Sequence, residues 1–125
     1  MALAPAHVEC LLMAVLSVNN FSLEKAWALL PRMREAGLTD PARVAAMEMP
    51  AVIEALRGAG YDRKNLTWLF AERVKALMVA IHDGQLDGLP DAISRKDKKA
   101  AAALLAPIRG VGPRVVENAW ALLMG

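Results

Sequence analysis

The sequence predicts an all-α fold, a compact bundle of six or seven short helices whose last two are joined by a glycine hairpin. Three observations predict it. Hydrophobic residues make up 56% of the 125 residues but aromatics only 5%, and 24 are alanine, a balance suited to helices packed closely on small side chains. Apolar residues recur at three- and four-residue steps, and no segment sustains the two-residue alternation of a half-buried strand. Capping residues and prolines punctuate the chain at helix-length intervals. The length suits one domain, residues 1–125, and the apolar content is enough to bury a core.

The elements follow in order. His7 to Val18 is almost wholly apolar and predicts a helix buried on all sides. Asn19, Asn20 and Phe21 break it, and Ser22 is placed to cap the next helix. In that helix Leu23, Ala26, Trp27 and Leu30 share one face, and Gly37 ends it. Asp40 followed by Pro41 gives a cap and a first-turn proline for a short helix through Met47. Pro50 opens another with Val52, Ile53 and Leu56 inward. Gly58 to Asp62 is a turn, with Asp62 as the cap of the longest helix, Leu66 to His82. Its inner face is Leu66, Leu69, Phe70, Val74, Leu77, Met78 and Ile81, and its outer face carries Arg63, Lys64, Glu72, Arg73 and Lys75. Gly84 to Pro90 is expected as loop. Ser94 is expected to cap a helix over Arg95 to Ala106, and Pro113 to start a last helix to Met124.

Composition excludes several function classes. Cys10 is the single cysteine, which rules out an internal disulfide, a four-cysteine zinc site and an iron–sulfur cluster held by one chain. His7 and His82 lack metal-ligand spacing, so neither metal nor cofactor is expected. No apolar run reaches membrane-spanning length, and the start lacks a basic stretch ahead of a signal-like core. The expectation is a cytoplasmic, nucleoid-associated chain with no membrane partner. The formal charge is only +2, but it is unevenly spread. From Arg95 onward six basic residues (Arg95, Lys96, Lys98, Lys99, Arg109, Arg114) face two acids, Asp97 and Glu117. That local excess suits a polyanion or a solvated charged face.

The segment Leu104-Leu105-Ala106-Pro107-Ile108-Arg109-Gly110-Val111-Gly112-Pro113-Arg114 carries the most information. Glycines at 110 and 112 allow tight backbone approach, and Val111 is expected to plug the space between the flanking helices. The free N–H groups of the hairpin and of the next helix's start would then point outward. Such donors, aided by the helix dipole and by Arg109 and Arg114, suit phosphate oxygens.

A Gly-x-Gly with a helix on each side, a hydrophobic plug, a first-turn proline and two arginines resembles the helix-hairpin-helix of DNA repair proteins, here over residues 95–124. Leu11 to Asn19 is similar to the first core helix of the endonuclease III and adenine DNA glycosylase superfamily. In that family the helix ends in a serine, followed by a polar amide residue that reaches the DNA; Asn19 is the candidate here, with helix capping or loop hydrogen bonding as its other reading. Gly58 to Leu66, with Tyr61, Arg63 and Asn65, is similar to the family's glycine-tyrosine turn and long helix, and Gly84 to Pro90 to the loop before the hairpin. The resemblance spans most of residues 8 to 123 and implies the family's six-helix barrel domain.

The departures bear on chemistry. Bifunctional members place a lysine just after the hairpin as the Schiff-base nucleophile. Arg114 stands there in this sequence, and a guanidinium supplies no free amine. Monofunctional members use an aspartate beyond the second hairpin helix, and no aspartate follows Asp97. The family's second domain and its cluster cysteines have no counterpart in these residues. The resemblance therefore implies sequence-non-specific DNA binding without independent catalysis, through Arg109, Gly110, Val111, Gly112, Arg114, Lys96, Lys98, Lys99 and Asn19. Two alternatives stand beside it: a glycosylase subunit completed by a partner chain or second copy, and a protein-interaction domain with no DNA role. Homodimerisation would bury the apolar surface that a missing domain leaves. Cys10 reads as an inert core thiol, Glu117 as a partner of Arg114, and the three tryptophans as packing residues, with base stacking the other reading of Trp68.

Overall fold

The apolar run near the start is the centre of the molecule. In the computed structural model, which describes residues 3–18 and 21–125, it forms α1 (Pro5–Leu16) with Val8 and every residue from Leu11 to Leu16 buried. The helix begins and ends two residues earlier than expected, because Pro5 occupies the first turn, where its missing N–H costs nothing. Ser17 closes it by donating its N–H to the Met13 carbonyl at 2.9 Å.

Seven further α-helices follow among the described residues, so the total is eight rather than six or seven. They are α2 (Leu23–Glu35), α3 (Pro41–Ala46), α4 (Met49–Gly58), α5 (Thr67–His82), α6 (Leu89–Ser94), α7 (Lys98–Leu105) and α8 (Pro113–Met124). No strand occurs among the described residues. α1 packs on α2, α5 and α8, while α3 and α4 also pack on α5, and α6 packs on α7. No described helix is long and apolar enough to cross a membrane.

Local chemistry sets most boundaries as the sequence implies. Ser22 Oγ accepts from the Lys25 N–H at 3.1 Å, and Asp40 Oδ1 accepts from the Ala42 N–H at 3.1 Å with Pro41 beside it. Gly37 ends α2 with φ +80, where the Leu38 N–H returns to the Met33 carbonyl at 3.0 Å. Val52 and Leu56 are fully buried on α4, and Ile53 is half-buried. Trp27 and Trp120 pack against the core.

Three expectations are corrected. The stretch expected as loop, Gly84 to Pro90, ends early, because Leu89 and Pro90 open the unexpected helix α6, and Ser94 ends that helix instead of capping the next. Asp97 is the cap, accepting from the Ala100 N–H at 3.0 Å, so the hairpin unit starts at Lys98 rather than Arg95. Leu89 and Ala92 are buried, which explains why α6 forms: a short helix with an apolar face is held by packing rather than propensity. Asp62 does not cap α5; it accepts from the Lys64 N–H at 2.9 Å in a turn leading to a 3-10 segment, Lys64–Leu66. Leu66 thereby points outward at 45% exposure, and Trp68 at 53% is left out of the core.

Two ties brace α1. Arg34 of α2 grips Glu9 with two hydrogen bonds of 2.7 and 2.8 Å. The hydrogen bond from Arg34 holds the Glu9 carboxyl below its ordinary range, against a smaller opposing effect of burial. At the other end the fully buried Tyr61 donates its hydroxyl to the Leu16 carbonyl at 2.8 Å. Phe21 and Phe70 pack on the Tyr61 ring at 4.7 and 5.6 Å between centroids. Arg63 hydrogen-bonds Tyr61 Oη at 3.1 Å and lies 4.8 Å over the Phe70 ring.

Burial pushes the Tyr61 phenol up to about 12, against the opposing pull of Arg63. Its folded value exceeds its unfolded value, so the stability it contributes is full below about pH 10 and lost as pH rises toward about 12. Tyr61 is the single tyrosine, so phenolate absorbance follows it alone. The expected midpoint is about 12 with the fold intact, or a sharper rise coincident with unfolding. Ionisation near 10 with helicity unchanged would contradict the buried phenol.

Candidate nucleic-acid interface

The hairpin between α7 and α8 is built around two buried plugs. Ile108 and Val111 are 6% and 8% exposed and join the core, as expected of Val111. The Val111 N–H closes a turn on the Ile108 carbonyl at 3.0 Å, placing Gly110 at its third position with φ +85. That left-handed conformation favours glycine. Space demands it too, since a Cβ on Gly110 would fall inside the aliphatic stem of Arg73 from α5.

Gly112 differs. Its φ of −89 and ψ of −179 are ordinary extended values, and a Cβ there would meet nothing within 4 Å. The expectation that both glycines serve the backbone holds for Gly110 alone. Gly112 is the N-cap of α8, and no side chain caps that helix. Its carbonyl accepts the first helical bond, from the Val116 N–H at 3.0 Å. The N–H groups of Gly112, Arg114 and Val115 take no hydrogen-bond acceptor from the described residues. They are the unpaired donors of a helix start, at its positive dipole end.

The cations divide into two sets. Arg109 pairs with Glu72 of α5 at 2.7 Å, Lys98 with Glu117 at 2.6 Å, and Arg95 with Asp91 at 2.9 Å. Lys96, Lys99 and Arg114 are exposed and have no carboxylate in ion-pair range among the described residues. Glu117 thus pairs with Lys98, across the hairpin, and not with Arg114 on its own helix. The Lys98 ammonium thus reaches a residue one turn along α8 from Arg114. Lys96 and Lys99 remain near the start of α7, roughly 10 Å from the hairpin along the helix. Lys96 sits in the α6–α7 turn with φ +54. Between α7 and α8 opens a cleft of 390 Å³ lined by Ala102, Ala106, Val111, Gly112, Val116 and Glu117 among others.

Asn19 lies outside the described residues. Two residues that the sequence reading left as surface face prove to belong to the site: Glu72, which holds Arg109, and Arg73, which fills the space over Gly110. Arg73 also lies 5.3 Å from the Phe70 ring on the side chain that Arg63 covers from 4.8 Å. The only signal for either residue was the need of Gly110 for a close neighbour. Cys10 is half-buried with its thiol toward the Leu122 carbonyl at 3.8 Å, and burial raises it further from reactivity. No family model, curated protein or solved structure matches the chain.

The arrangement offers cations and backbone donors on one side, and its two carboxylates are each held by a cation. Chemically it is suited to holding an anion. The two glycines separate cleanly on replacement. Gly110→Ala is expected to cost about 1–3 kcal/mol from the left-handed φ and displacement of Arg73. Gly112→Ala is expected to stay within about 0.5 kcal/mol of the parent. Urea denaturation of both variants checks this; equal losses would refute the asymmetry.

Proposed function

We propose that this chain binds DNA without regard to sequence, gripping backbone phosphates at the α7–α8 hairpin, in the setting of DNA repair. The observation that carries the reading is the uncapped start of α8, where three unpaired N–H donors lie beside the exposed Arg114 guanidinium. A phosphate oxygen satisfies such donors and the positive end of the dipole together. Arg109 and Lys98 add charge, each held by one carboxylate that a phosphate can displace, since exposed ion pairs of this kind are worth only about 0–1 kcal/mol. None of these groups reads a base edge, so affinity is indifferent to sequence and falls with salt. The resemblance of residues 104–114 to the helix-hairpin-helix of repair proteins supports the same reading. Arg114, where a catalytic amine would stand, supports binding without base-excision chemistry by the chain alone.

Fluorescence anisotropy with short duplexes of unrelated sequence, titrated from low to moderate salt, tests this. Affinities are expected to agree among sequences, and Arg114→Ala to lower the salt slope by about 1. Gly112→Asp is the sharper variant. Aspartate is a favoured N-cap and meets no steric obstacle at 112, so the fold is kept or slightly stabilised. Its carboxylate would occupy the donors and repel phosphate, and a loss of at least about tenfold in affinity is expected. Duplex affinity unchanged in Gly112→Asp, or no binding at low salt, would overturn the proposal.

A further inference from the structure

The six aromatic side chains are not treated alike by the fold. Tyr61 and Phe70 are fully buried, and Phe21, Trp27 and Trp120 pack against the core. Trp68 does not: at 53% exposure it stands on the outer face of α5. Leu66, 45% exposed, is two residues before it, and Lys64 is a further two back with its cation in solvent. One turn after Trp68 on the same face comes Glu72, which holds Arg109 of the hairpin at 2.7 Å. An indole thus lies about 6 Å along the helix from the residue that carries the phosphate grip's arginine.

Charge narrows what such an indole meets. One turn along α5, Glu72 is already held by Arg109, and Lys64, four residues before Trp68 in the chain, is exposed. Asp62, at the far end of the 3-10 turn, accepts a backbone N–H and faces Arg57 at 4.0 Å. An exposed aromatic ring one turn from an ion-paired arginine complements a ligand with a flat π-face and a negative backbone. Paired bases in an intact duplex hide their faces from such a platform, and unpaired bases offer them.

We propose that Trp68 is a stacking platform for an unpaired nucleobase on a strand whose backbone is held at Arg109 and the start of α8. The inference rests on the DNA-binding reading and adds a ligand preference to it: DNA with a bulged or single-stranded nucleotide over intact duplex. Trp68 is more than half exposed and outside the buried cluster, so its removal is expected to leave the fold in place.

The test is anisotropy with the full chain and two DNAs, a duplex and the same duplex carrying one unpaired thymine. The parent is expected to favour the bulged DNA by about tenfold. Trp68→Ala is expected to abolish that preference while leaving duplex affinity within about twofold, and Trp68→Phe to keep part of it. In a Trp27→Phe, Trp120→Phe background, or by difference from Trp68→Phe if that background fails to fold, the bulged DNA quenches the Trp68 emission. A preference that survives Trp68→Ala, or an equal loss on both DNAs, overturns the platform while the duplex binding sustains the broader reading. No salt-sensitive duplex binding by the parent overturns both. A shift from dimer to monomer in sedimentation on Trp68→Ala, with the DNA preference unchanged, assigns the indole to a contact between copies instead.

Discussion

Everything in this molecule depends on burying α1. The second half of this twelve-residue helix, an unbroken run of buried side chains from Leu11 to Leu16, has no face to spare for water. It must be enclosed, and α2, α5 and α8 enclose it. Each fully buried leucine or methionine in it contributes roughly 1.5–3 kcal/mol of apolar transfer. The polar ends of the helix are then closed individually, Glu9 by Arg34 and the Leu16 carbonyl by Tyr61. The hairpin inherits its position from the same requirement. α8 lies along α1 because Val115, Val116, Ala119 and Leu123 supply part of the enclosure. The direction in which the start of α8 points is therefore fixed by the core.

α5 fixes the hairpin from the other side. Its inner face is spent on the core through Phe70, Val74, Leu77 and Met78, and its flank offers Glu72 and Arg73 to the turn. Arg73 acts by shape, its stem taking the volume a Cβ at 110 would need, with its guanidinium over Phe70. Glu72 acts by charge, on an arginine 76% exposed. A pair so exposed adds little stability but sets a direction. It keeps Arg109 beside the hairpin without committing its remaining donors.

The fold class and most helix boundaries were legible because local chemistry decides them. Ser22, Asp40 and Gly37 each satisfy a backbone group within a few residues, and tertiary contacts do not alter that. The α6–α7 region was not legible, because Ser94 and Asp97 are both competent caps three residues apart. The choice fell to Asp97 once Leu89 and Ala92 found burial in a helix of their own. Likewise nothing local distinguishes Lys98 from Arg114 as a partner for Glu117; the crossing of α7 and α8 decides it. Leu66 and Trp68 fit a helical inner face by spacing, but Asp62 tightens the preceding turn and α5 begins only at Thr67. In the site, Arg109, Gly110, Val111, Gly112 and Arg114 were legible as a unit because they are contiguous. Glu72 and Arg73 were not, being separated from the hairpin by more than thirty residues of chain.

The two glycines separate what the turn needs from what the surface offers. Gly110 is required by its φ and by Arg73, and any tight inter-helix turn of this shape would need it. Gly112 is required by neither backbone nor packing. As an N-cap it lacks the side-chain oxygen by which serine, threonine, asparagine or aspartate would satisfy a donor at the start of α8. Each of those would fit the open space at 112 and relieve N–H groups that otherwise wait on solvent. A turn serving only to connect two helices gains from such a cap, whereas a turn that must receive an external anion loses its donors to one. The bare cap, more than the arginines beside it, is what makes this hairpin look outward.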